Sequence, residues 1–136
     1  TASYTSQTAR QLSAASVDGI YAMAEFDPWS SSSLQIMDWR RLLIARQIDP
    51  SSLSQGGYIA ARALVQVLAA MQGPITRASV AEALQRMPPW SGGMMATPFK
   101  VGPDGKHALN RSALPMRLVD GKWRVSHHEW ISYAAH

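Results

Sequence analysis

The residue types that could do chemistry are few and poorly grouped. His107, His127 and His128 with Glu129 form the one metal-like set. Three of these are consecutive, and neighbours on a strand point to opposite faces, so they do not converge on one ion. The His-Glu-x-x-His spacing that brings two imidazoles to one helix face is absent. Ser91-Gly92-Gly93 lacks the Gly-x-Ser-x-Gly pattern of a nucleophile elbow. Gly92-Gly93 also lacks the strand–turn–helix setting of a phosphate loop, and no Gly-x4-Gly-Lys-Ser/Thr run occurs. With no cysteine, thiolate nucleophiles, thiolate metal sites and disulfides are excluded. No nucleophile–base pair stands out, so we expect no catalytic residue, no metal and no cofactor.

The elements that would position any site follow from periodicity. Residues 4–16 place Ala9, Leu12 and Ala15 on one face of a short helix. Ile20 to Phe26 reads as a buried strand, ended at Asp27-Pro28 because proline cannot donate to a ladder. Leu34 to Arg46 reads as an amphipathic helix, with Leu34, Met37, Arg41 and Ile44 on one stripe and Trp39, Leu42 and Leu43 beside it. Asp49-Pro50-Ser51-Ser52 breaks it. Gly57 to Met71 is the strongest helix, with Ala60, Ala63, Leu64, Val67, Leu68 and Met71 on one face and Gly73-Pro74 as its stop. Thr76 caps a further helix through Met87, with Val80, Leu84 and Met87 facing inward. The period then changes. Met94 to Val101 is extended, Gly102-Pro103-Asp104-Gly105 is a turn, and Asp120-Gly121 between Leu114–Val119 and Lys122–Val125 is the best hairpin signal in the chain. Trp123 is expected to pack on Met116 or Leu118 across that hairpin. Trp29, Trp39 and Trp90 read as packing residues. The order is an α/β pattern with too few strands for a complete doubly wound sheet.

Composition narrows the class. Of 136 residues, 46% are hydrophobic and 16% charged, which is globular and not disordered composition. The net charge is +4, but the basic residues are scattered and the densest cluster is Arg40-Arg41 with Arg46. A nucleic-acid reader would more often carry a basic stripe with interleaved aromatics, so no nucleic-acid partner is expected.

Several runs, taken in order, resemble a known family. Gly19-Ile20-Tyr21 ending at Asp27-Pro28, then Gly57-Tyr58-Ile59-Ala60-Ala61-Arg62-Ala63-Leu64-Val65, Ile75-Thr76-Arg77 and Val80-Ala81-Glu82-Ala83-Leu84, are similar to the type I periplasmic binding proteins of the Leu/Ile/Val class. So are Phe99, His107 and Val119-Asp120-Gly121-Lys122-Trp123 near the end. The resemblance covers roughly residues 1–125.

The resemblance implies two lobes of three-layer α/β/α construction, hinge crossings and a small molecule held between the lobes. This chain would be the C-terminal portion, with the N-terminal portion of the fold absent from it. On that reading 1–46 belongs to the second lobe, 47–55 is a hinge crossing, 56–112 belongs to the first lobe, 113–125 returns to the second as a hairpin, and 126–136 is a tail. The implied role is extracytoplasmic solute binding for an ABC importer, in the periplasm or lipid-anchored outside a Gram-positive cell. The implied partners are an amino acid or an aromatic or aliphatic carboxylate, the membrane permease, and the remaining N-terminal part of the protein. A ligand-sensing domain of a receptor or regulator uses the same fold, and a small enzyme is the third reading. Ser3 and Tyr4 follow a cleft loop in the family and could line the pocket, or else cap an exposed helix. Glu25 could pair with a cationic group on the ligand and Phe26 could cover an apolar one. Read the other way, Glu25 is an ordinary solvated carboxylate and Phe26 is core.

Overall fold

A computed structural model describes residues 19–101, 107–108 and 111–132. The helix expected at 4–16, Ser3, Tyr4 and the turn at 102–105 lie outside the described residues. The elements run β1 (Tyr21–Ala24), α1 (Leu34–Arg46), α2 (Ser52–Ala70), α3 (Arg77–Arg86), β2 (Lys100–Val101), β3 (His107–Ala108), β4 (Ser112–Val119), β5 (Lys122–Val125) and β6 (Ile131–Ser132).

Local chemistry accounts for the helix ends. Ser51 and Ser54 satisfy each other's backbone N–H groups in a capping box, at 3.0 and 3.1 Å, and start α2 five residues upstream of the expected Gly57. Thr76 and Ser79 do the same for α3. The α2 helix ends where Met71 turns extended, and Gly73 takes φ +92° in the turn beyond instead of capping the helix. The α1 helix ends in a Schellman motif: Ile48 N–H donates to Leu43 C=O at 3.0 Å and Gln47 N–H to Ile44 C=O at 3.2 Å. Gln47 adopts φ 54° there, a conformation that favours glycine.

The long strand β4 carries the sheet. It pairs antiparallel with β1, Ala24 opposite Leu114 and Tyr21 opposite Arg117. It pairs on its other side with β5, Leu118 opposite Trp123, and its first two residues pair with β6. Asp120 and Gly121 both have positive φ, 51° and 68°, as a two-residue type I′ turn requires. Every described pairing is antiparallel. Among the described residues β1 has a partner on one edge only.

Among the described residues the buried apolar side chains gather in a helical cluster and a sheet cluster. Ile36, Trp39 and Leu43 of α1 pack with Ile59 of α2 and Met94, and Phe26, Trp29, Tyr58, Trp90 and Met95 close around them. Ala24, Leu114 and Met116 form the second cluster, with Trp123 and Val125, and Trp123 also covers Leu118. The two helices α1 and α2 thus share one core, although the lobe boundaries implied by the resemblance run between them. The buried stripe of α1 is Ile36, Trp39 and Leu43. Leu34 and Ile44, expected inside, are 69% and 77% exposed. The buried stripe of α2 is Gln55, Ile59, Ala63 and Val67, a strict i, i+4 row, while Ala60 and Leu64 face outward. Both helices carry apolar residues on more than one face, and the stripes that meet Ile59 and Met94 differ from those that periodicity put inside.

Two stability predictions follow from this packing. Truncating the fully buried Trp39 to alanine should cost about 3–5 kcal/mol in urea denaturation, and a loss under ~1 kcal/mol would mean that its cluster is not a core. Gln47→Gly should instead raise stability by roughly 0.5–1 kcal/mol, because it relieves the left-handed residue at the end of α1.

Candidate functional site

The chain leaves the sheet at Ala24 and enters the helical cluster at Phe26. Ala24 is fully buried, Glu25 exposed and Phe26 half-buried against Ile59's cluster. The two sequence-derived candidates at the carboxyl end of β1 therefore sit at the seam between the two clusters. They line a cavity of ≈ 260 Å³ together with Gly56 and Ile59 of α2, Met95 and Phe99. Its walls are aromatic and aliphatic, and Glu25 is the one ionisable side chain among them. A cavity of this make-up suits a small apolar group attached to a cationic or hydrogen-bond-donating one.

A polar network under this seam was not anticipated. Gln55 is fully buried on α2. Its carboxamide nitrogen donates to Asp27 C=O at 2.9 Å, and its oxygen accepts from Trp29 Nε1–H at 2.8 Å. Arg40 of α1 donates to Trp29 C=O at 2.9 Å and to Ser31 C=O at 3.2 Å. Asp27 N–H donates to Met94 C=O at 2.9 Å. Gln55 begins the i, i+4 row that continues through Ile59, Ala63 and Val67, a row visible only once the helix is known to start at Ser52.

The other features singled out in the sequence have packing roles. Gly92 and Gly93 have φ of 60° and 70°. A Cβ at Gly92 would press on the Trp90 ring, and one at Gly93 would run into Gln35. These glycines let the loop lie against α1. Ser126 Oγ lies 2.9 Å from His127 Nδ1. Among the described residues no three His, Asp or Glu side chains are grouped to hold a metal ion, and no helix is long and apolar enough to cross a membrane. A second, larger cavity of ≈ 460 Å³ lies between the end of α2 and α3, lined by Val67, Met71, Ala83 and Met87 and edged by the Glu82–Arg86 ion pair.

Comparison with known proteins gives these observations a context. A family model described as periplasmic binding protein matches residues 1–122. A search of curated proteins finds no match. Among solved structures, a possible leucine/isoleucine/valine-binding protein from Rhodopirellula baltica SH 1 superposes with a TM-score of 0.65 and 24% identity, over 86% of this chain and 30% of its own. A branched chain amino acid ABC transporter protein from Thermus thermophilus with bound valine superposes with a TM-score of 0.67 and 12% identity, over 88% of this chain and 35% of its own. The chain thus spans about a third of the length of each solved relative, and shares the fold of that third. The match over 1–122 carries the assignment, and the chain belongs to the periplasmic binding protein family.

Proposed function

We propose that this chain is part of an extracytoplasmic solute-binding protein that serves an ABC importer, and that it holds an amino acid or related small carboxylate between two lobes without chemical turnover. The family match over residues 1–122 is the observation that carries this reading. The solved relatives point the same way, one being a possible leucine/isoleucine/valine-binding protein and the other having valine bound. Membrane permease and solute are the partners that the reading requires.

The packing supports a revised lobe division. We place the crossings at Glu25–Phe26 and near Ser112 instead of at 47–55, because 47–55 joins two helices of one core. The helical cluster then belongs to one lobe and the β1–β4–β5 sheet to the other. Further chain of the same protein is the third partner. The exposed Leu34, Ile44, Leu53, Val65 and Ile75, and the edge of β1 that has no partner among the described residues, are surfaces that such chain would cover. Glu25 and Phe26 are the wall residues we assign to this chain, Glu25 for a ligand cation and Phe26 for its apolar part. Ser3 and Tyr4 are assigned to the same wall from the resemblance.

Closure follows from differential contact. A ligand that touches both lobes binds the closed form more tightly and shifts the population toward it. A protein of the relatives' length that contains this chain should melt several degrees higher with saturating valine, leucine or phenylalanine, since ligand at 100 times its dissociation constant adds about 2.7 kcal/mol. No shift with any of twenty amino acids or simple carboxylates would refute the reading. The 136 residues alone should bind these ligands no more tightly than roughly millimolar in calorimetry, because one wall of the cleft is incomplete. Glu25→Gln in the longer protein should weaken an amine-bearing ligand about tenfold in calorimetry.

A further inference from the structure

The segment that leaves the sheet is fastened to the helical core within three residues. Gln55 grips it at Asp27 and Trp29, Arg40 at Trp29 and Ser31, and Met94 at Asp27. Residues 27–31 must therefore move with α1 and α2. Ala24, three residues earlier, is fully buried in the sheet cluster and moves with β4. The change of allegiance falls on Glu25 and Phe26. The second connection is fastened at the same level: Thr97 Oγ1 lies 2.6 Å from the Oγ of Ser112, the first residue of β4, and Leu114 two residues on is already paired with Ala24. The segment after β1 is thus held to the helical core from Asp27 onward, and Ser112 is linked to Thr97 two residues before Leu114 pairs with Ala24.

We infer that Gln55 is a positioning residue that confines bending between the two units to Ala24–Phe26. The purpose of such a fulcrum rests on the solute-binding reading, but its existence does not. Glutamine suits the task because its carboxamide presents a donor and an acceptor in different directions, and full burial is tolerated only when both are used. Here each is used, on two points of the same outgoing segment. A methionine would fill the same space and hold neither point. Bending would then spread from residue 25 through 31, and the two units would sample a wider range of orientations. Hinges of this kind are a few residues that absorb the backbone change, and what bounds them is the fastening on either side.

The test needs no ligand. The chain has no cysteine, so spin labels at Arg46→Cys on the helical unit and Lys122→Cys on the hairpin report one distance. Both positions are exposed. The unsubstituted background sets the reference width of the distribution, and Gln55→Met should widen it about twofold. A control pair within the helical unit, Arg46→Cys with Gln72→Cys, should stay unchanged. Trp29→Phe removes one of the two fastenings while keeping a ring in the cluster. It should widen the first distance by less, and it serves as the variant if Gln55→Met fails to fold. An unchanged distribution in the folded variants would overturn the inference, as would equal widening of the control pair, which would mean general loosening. Because no solute enters the measurement, these outcomes stand apart from a failure of the ligand panel, which would fall on the function instead.

Discussion

A fully buried carboxamide is expensive unless every polar atom on it is paired, and the pairing of Gln55 organises the middle of this chain. Its two hydrogen bonds bring Asp27 and Trp29 onto the start of α2. Arg40 of α1 in turn holds the carbonyls of Trp29 and Ser31, in the loop that leads into that helix. The helical core is in this sense assembled around a polar tie. Strand β1, on the near side of the tie, is left to pair with a strand ninety residues later in the sequence.

Among the described residues, the helical cluster and the sheet cluster meet around Glu25–Phe26 and Ser112, and each keeps its own buried apolar residues. Interfaces within a chain that are small and polar make relative motion the default. The cavity under Phe26 lies at this seam, and its single carboxylate gives it a chemical preference.

The local elements were legible because local chemistry decides them. The limits of α1, the Thr76 cap, the Asp120-Gly121 turn and the contact of Trp123 with Leu118 all come from neighbours in sequence, and each stands where the pattern put it. The family was legible from ordered motifs. What escaped the sequence was whatever a distant partner decides. Leu34 and Ile44 look as apolar as Ile36 and Trp39, yet it is the latter pair that packs with Met94. The start of α2 was missed because serine serves at the third helical position where glutamate is the usual signal. The short strand β6 in the tail forms on a template 18 to 20 residues earlier and has no pattern of its own. Of the site, Glu25 and Phe26 were legible as strand-end residues, whereas Gln55 was hidden among serines and glycines.

Native-state hydrogen exchange tests the central claim most directly. If the two clusters are separate cores, the amides of α1 and α2 should exchange with one opening free energy and those of β4 and β5 with another, and the boundary should fall between Ala24 and Asp27. A destabilising change in one unit, such as loss of the Trp39 side chain, should accelerate its own set and leave the other within about twofold. A single common opening free energy across both sets, shifted as a whole by that change, would contradict the account.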